Sequence, residues 1–149
     1  MLFYLDASAW VKRYFRELGS GWIHQQFEQE NPLGGSTLGL IEVTATCARK
    51  RNAGAIDGAR FQEIKNRLLE DWNGFFQLEL TPEVVERSLD LASTFALRGA
   101  DSVQLASVMI LKEKLALDED AITLVTSDQQ LRVAALKAGL LVTDPQSKL

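Results

Sequence analysis

Four carboxylates stand where a carboxylate is costly. Asp6 closes the apolar run "LFYL", and Asp128 follows the β-branched run "ITLV" with only Thr126 and Ser127 between. Glu42 interrupts "TLGLIEVTATC", a stretch otherwise apolar or small, and Asp101 opens "GADSVQLASVMIL" in the same way. Desolvation makes a buried lone carboxylate rare unless it is paired, hydrogen-bonded or bound to a cation, so these acids call for a shared explanation. A hard divalent cation provides one. Mg²⁺ is usually held by a few carboxylates at ~2.1 Å while it keeps several waters. Such an ion, alone or in a pair, lowers the pKa of a bound water, aims it at phosphorus and neutralises charge on a phosphodiester. No histidine or serine nucleophile is then required, and a two-histidine scheme is excluded by count, since His24 is the single histidine. The residues one turn from Glu42, namely Gly39, Ala45 and Thr46, are small and leave space over its carboxylate.

Each acid also has a plainer explanation. Asp6 and Asp128 each precede a helix and could accept backbone N–H groups there. Asp101 and Gln104 have the Asp-x-x-Gln spacing of a capping box. Glu42 has the weakest such explanation, because it lies well inside its helix, where no cap is needed. For the site to vanish, all four plain explanations must hold together.

The elements that must position these acids alternate. Leu2–Leu5 reads as a strand, followed by Ser8 as a helix cap and Trp10, Val11, Tyr14, Phe15 and Leu18 at helical spacing. A second helix carries Trp22, Ile23, Gln26 and Phe27 and ends near Asn31-Pro32; a strand then runs to about Ser36. Helices are predicted over 37–51 and 56–72, a strand over 75–80, helices over 82–97 and 101–117, a strand at "ITLV", a helix over 129–138 and a last strand at "LLV". Strands alternating with helices imply a mostly parallel sheet covered on both faces. Ligands of such sheets bind at the carboxyl ends of the strands, where Asp6 and Asp128 fall. The denser cluster Asp118, Glu119 and Asp120 precedes "ITLV" and so belongs to the opposite end, as a solvated loop.

Composition bounds the rest. A chain of 149 residues buries ~70% of its unfolded surface and is expected to form one domain, 1–149. A lone Cys47, read as a small core residue, excludes an intramolecular disulfide and points to a reducing cytoplasm. No apolar run approaches the ~20 residues of a membrane span, and the first residues lack a signal peptide's basic region and cleavage site. A net charge of −4 argues against binding nucleic acid by bulk charge and leaves room for a local basic patch. Lys12, Arg13 and Arg16, facing outward from the helix after Asp6, and Arg98, just before Asp101, are the candidates for phosphate contacts. The aromatics Trp10, Trp22, Phe27 and Trp72 are read as core rather than as a base-stacking platform.

Together "YLDASAWVKRY", "TLGLIEVTA", "LRGADSVQLASVMIL" and "LVTSDQQLRVAALKAGLLV" resemble the PIN-domain ribonucleases, especially the VapC-type toxins of toxin–antitoxin pairs. The resemblance spans almost the whole chain. It implies a three-layer α/β/α sandwich and an acidic cluster that binds Mg²⁺ or Mn²⁺ for RNA cleavage. Carried over by position, the acids are Asp6, Glu42, Asp101 and Asp128, with Ser8 and Thr126 as polar supports beside the metal. The acidic insertion 118–120 lengthens the gap before Asp128, which makes that residue the least secure of the four. The resemblance further implies a cognate antitoxin and a homodimer, to which the apolar residues at 10–27 are expected to contribute.

Two other functions fit less well. A catalytically silent PIN-like module, acting only by binding protein or RNA, has no reason to keep all four acids. A phosphatase of the haloacid-dehalogenase type wants a second aspartate two residues after Asp6, where Ser8 stands, and a receiver domain wants a lysine that "LVTSD" does not offer.

Overall fold

The structure, a computed structural model, describes residues 1–148. The first apolar run forms β1 (Leu2–Leu5), whose side chains alternate between two cores. Leu2 and Tyr4 enter one, while Leu5, with Phe3 against it, enters the other. Both faces are therefore covered, which is why the strand reads as continuously apolar. The remaining strands are β2 (Leu33–Ser36), β3 (Phe76–Leu78), β4 (Ile122–Val125) and β5 (Leu141–Thr143). They join in the order β3-β2-β1-β4-β5, every pair parallel, with Tyr4 opposite Gly34 on one side and Leu124 on the other. The winding reverses at β1, so the crevice at the carboxyl ends of β1 and β4 is the expected ligand site.

Among the described residues the seven α-helices are α1 (Ala7–Trp10), α2 (Ser20–Glu28), α3 (Thr37–Asn52), α4 (Gly58–Asn73), α5 (Pro82–Phe95), α6 (Gly99–Lys114) and α7 (Gln129–Lys137). Helices α5, α6 and α7 bury Val84, Leu91, Leu105, Ile110 and Leu131 against one face. Helices α1 to α4 bury Trp10, Ile23, Val43, Ile64 and Leu68 against the other. This is the expected α/β/α sandwich, and its sheet is wholly parallel. At Gly34 a Cβ would come within 3.0 Å of the Leu111 side chain and 3.2 Å of the Phe76 carbonyl oxygen, so a bare backbone lets α6 lie close to β2.

Three expectations need correction. Ser8 is not the first helix cap: Asp6 is, accepting the Ala9 N–H at 2.9 Å, and α1 gives way to a 3₁₀ turn at Val11–Arg13 instead of running to Leu18. The inward anchor of that turn is a chain in which the Trp10 indole donates to the Tyr14 hydroxyl (3.0 Å), and Tyr14 donates to Asp71 (2.7 Å). The same turn draws in two residues expected to face outward. Lys12 is only 3% exposed, and Arg13 pairs with Asp71 at 3.3 Å and lies over the Phe27 ring. Finally, the apolar side chains at 10–27 are not surplus, because Trp10, Tyr14 and Ile23 are buried and Trp22 and Phe27 pack on their core. Leu18 is the large apolar residue of that stretch that stays exposed, and others stand elsewhere, among them Val85 and Leu89 on α5 and Val133 and Leu136 on α7.

Candidate active site

Asp6, Glu42, Asp101 and Asp128, contributed by four separate segments, line one pocket of about 230 Å³ together with Ser8, Arg98 and Gln104. A larger, mostly apolar cavity of about 440 Å³ lies by Phe95, Leu97 and Val133, but Lys137 is its sole ionisable group, and it is not where chemistry would occur.

Asp6 leaves β1 at the centre of the sheet and caps α1. Its Oδ1 accepts from the Ala9 N–H and from the Ser8 hydroxyl at 2.7 Å, and its Oδ2 accepts from the Thr126 hydroxyl. Ser8 and Thr126 also tie β4 to β1. The Ser127 N–H donates to Ser8 Oγ at 2.9 Å, and the Asp128 N–H donates to Thr126 Oγ1 at 3.0 Å. The two hydroxyls therefore hold Asp6 in place. Burial pushes the Asp6 carboxyl up to about 6 against the pull of these hydrogen bonds.

Asp128 caps α7 with one oxygen, accepting the Leu131 N–H at 3.0 Å, and turns the other to the pocket. Asp101 is not a cap: it sits in the first turn of α6, which Arg98 begins without a side-chain hydrogen bond. The Arg98 guanidinium bridges the two acids, Nε donating to Asp101 at 3.1 Å and Nη2 to Asp128 at 2.6 Å. Burial, then the charge of Asp128, raises the Asp101 pKa, and Arg98 opposes the shift. Glu42 reaches the pocket from α3, where its Oε1 accepts from the Gln104 side-chain amide at 2.9 Å. Of the basic candidates, Arg98 alone lines this pocket. Arg16 is exposed on the chain after the 3₁₀ turn, while Lys12 and Arg13 are withdrawn from it.

Among the described residues, no three Asp, Glu, His or Cys side chains converge closely enough to form a ready-made cage for a metal. The donor set nevertheless suits a hard cation, because Mg²⁺ keeps several waters and takes only one or two carboxylates directly. Arg98 already shows that a positive group is satisfied between Asp101 and Asp128. Two residues beside the acids escape a reading of sequence. Gln104 passes for half of a capping box, although its amide lies within an apolar helix, and that burial is the usable signal. Arg49 lies at the far end of a groove of about 300 Å³ that runs between α1 and α3 and shares Ala7, Ser8 and Glu42 with the acidic pocket.

A wholly parallel sheet between two helical layers, with acids gathered at its carboxyl ends, places the chain in the PIN-like class of α/β/α proteins. No protein-family profile matches it. Two proteins are similar over nearly its whole length: Ribonuclease VapC45 of Mycobacterium tuberculosis (strain CDC 1551 / Oshkosh) and Ribonuclease VapC49 of Mycobacterium tuberculosis (strain ATCC 25618 / H37Rv). Each is 30% identical over 145 residues, covering 97% of this chain and 96% of the relative. The chain belongs to the VapC ribonuclease family. In fold it is similar to FitAcB from Neisseria gonorrhoeae, with a TM-score of 0.67 at 16% identity over 99% of both chains. It is similar also to VapBC-1 from nontypeable Haemophilus influenzae, with a TM-score of 0.62 at 12% identity over 97% of this chain and 98% of that one.

Proposed function

We propose that the protein is a Mg²⁺- or Mn²⁺-dependent endoribonuclease and the toxin of a toxin–antitoxin pair. The observation that carries this reading is the meeting of Asp6, Glu42, Asp101 and Asp128 in one pocket at the carboxyl ends of β1 and β4. In it, Asp6, Glu42, Asp101 and Asp128 are the groups that hold the ion. When bound, the ion supplies an activated water and neutralises charge on the scissile phosphate. The chain's own contribution is placement. Ser8 and Thr126 keep Asp6 fixed, and the caps of α1 and α7 set the directions of Asp6 and Asp128. Arg98, exposed at the rim, and the exposed Arg16 are the proposed phosphate contacts.

The partner follows from the same electrostatics. With no cation present the acids repel one another, and a guanidinium satisfies two carboxylates at once, as Arg98 does. An antitoxin segment lying in the groove between α1 and α3, past Val11 and the exposed Ile41, reaches Glu42 directly. In this reading Val11 is the contribution of the 10–27 stretch to the groove, whose other walls come from α1 and α3. A homodimer is proposed as well, its apolar support now coming from α5 and α7, with light scattering at micromolar concentration as the check. The cytoplasm is the proposed setting: among the described residues no helix is long and apolar enough to cross a membrane, and Cys47 is free and buried.

The test is cleavage of a fluorogenic RNA. Activity that depends on Mn²⁺ or Mg²⁺ and disappears in EDTA supports the assignment. Undiminished cleavage in EDTA overturns it.

A further inference from the structure

An amide buried in an apolar helix needs a reason. Gln104 is 3% exposed on α6, one turn after Asp101, and its inward neighbours Leu105, Ala106 and Val108 are all apolar. A buried amide is costly unless its polar atoms are paired. Here they are paired on both ends: Oε1 accepts from the Tyr4 hydroxyl at 2.6 Å and from the Ser36 hydroxyl at 3.3 Å, while Nε2 donates to Glu42 Oε1 at 2.9 Å.

These partners leave the amide one orientation. A hydroxyl can donate or accept, but an ionised carboxylate only accepts, so the NH₂ group must face Glu42 and the carbonyl must face the two hydroxyls. Burial raises the Tyr4 pKa far above the usual phenol range, which keeps its proton available for donation. Ser36 is fixed in turn, because its oxygen accepts the Gly39 N–H at 3.0 Å as the cap of α3. Gly39 lies within ordinary packing distance of the amide. A Cβ at that position would lie 3.4 Å from Gln104 Nε2 and 3.5 Å from Ser36 Oγ. The bare turn of α3 beside Glu42 is therefore filled by a neighbouring side chain.

We propose that Gln104 is a positioning residue for the metal site: it holds Glu42 by one carboxylate oxygen and leaves the other, Oε2, for the ion. The inference rests on the metal-dependent reading above. Glu42 lies on a half-buried face and has several rotatable bonds, so without the amide its carboxylate would sample positions away from Asp6 and Asp101. Tyr4, Ser36 and Gln104 thereby connect β1, β2 and α6 to the one acid that comes from α3.

The experiment measures Mn²⁺ affinity of the RNA-free protein, by calorimetry or by the electron paramagnetic resonance of free Mn²⁺, alongside melting in EDTA. Gln104→Met keeps the volume and removes the donor. It should weaken Mn²⁺ binding by about 10–100-fold, the usual effect of losing a group that orients a metal ligand. Glu42→Gln should weaken it as well, and adding Gln104→Met to Glu42→Gln should change it no further, because the amide acts through that carboxylate. Tyr4→Phe/Gln104→Met removes the tyrosine donor together with its acceptor and leaves only the Ser36 hydroxyl, whose bond to the amide is the longest at 3.3 Å, to find another partner, so this protein keeps the test open even if Gln104→Met alone folds poorly; it should show the same loss of affinity. An affinity within about twofold of wild type in the Tyr4→Phe/Gln104→Met protein, with Glu42→Gln still impaired, would overturn the proposal while leaving the metal reading intact. So would losses that simply add in the Glu42→Gln background. A wild-type protein that binds no Mn²⁺ would overturn both.

Discussion

Asp6→Asn should stabilise the metal-free protein at neutral pH, although it destroys the proposed metal site. Burial raises the Asp6 pKa from 3.8 to about 6. A folded-state pKa above the unfolded one means that the folded protein binds protons more tightly, so stability falls as pH rises from about 4 to about 6 and stays low above that. At 1.36 kcal/mol per unit, a shift of roughly 2 units corresponds to ~3 kcal/mol. Asparagine reproduces the neutral form. Its carbonyl can accept the Ala9 N–H as an N-cap, and its NH₂ can face the Thr126 hydroxyl, which then accepts instead of donating. For a chain of this size ~3 kcal/mol is about 6–12 °C in melting temperature. The assay is thermal or urea unfolding in EDTA at pH 4 and pH 7.5. The variant should lie close to wild type at pH 4 and above it at pH 7.5, and Mn²⁺ should close the gap by stabilising only the wild type. An Asp6→Asn protein less stable than wild type at pH 7.5 in EDTA would refute the reasoning, since Asp6 would then be better solvated than its burial implies.

Glu42→Gln and Asp101→Asn should each lower RNA cleavage by at least ~10²-fold with the fold retained, as read by the fluorogenic assay and circular dichroism. Arg98→Ala removes the cation that competes for Asp101 and Asp128, so Mn²⁺ should bind several-fold more tightly while the KM for RNA rises; weaker Mn²⁺ binding would contradict the competition. A peptide from the cognate antitoxin carrying an Arg should lose apparent affinity as Mn²⁺ is raised, and a flat titration would show that it does not reach the acids. Tyr14→Phe leaves the Trp10 indole and Asp71 short of a partner and should cost about 1–3 kcal/mol in urea unfolding without changing Mn²⁺ affinity.

The sequence was most legible where one residue type carries one physical demand. Acids at the ends of apolar runs had to lie at the carboxyl edge of a parallel sheet, and Asp6 and Asp128 do; Glu42 stood out because nothing local needs a carboxylate inside α3. The alternation of strands and helices was equally plain, since buried strands are short and apolar and the helices are periodic. Orientation near helix ends was not legible. Lys12 and Arg13 fall on the outside of a continuing α-helix, and the change to a 3₁₀ turn after Trp10 rotates them inward. Nothing in their own sequence announces that change, because it depends on Asp71, far along the chain in α4. Gln104 was hidden for the same reason: its partners Tyr4, Ser36 and Glu42 lie 62 to 100 residues away.

Strand order carries a consequence for when the acidic pocket can form. The two strands that frame the pocket, β1 and β4, are neighbours in the sheet, yet Asp6 and the Thr126 that steadies it are 120 residues apart in the chain. A nascent chain that stops short of β4 leaves one side of β1 as an open edge and has neither Thr126 nor Asp128 to complete the acids. Pairings of such long range are also slow to form, because the loop they close must be ordered first. A chain built this way cannot bring its four acids together until β4 has been made and has paired with β1. Stalled nascent chains ending before and after β4, assayed for Mn²⁺ binding, would show affinity appearing only in the longer one.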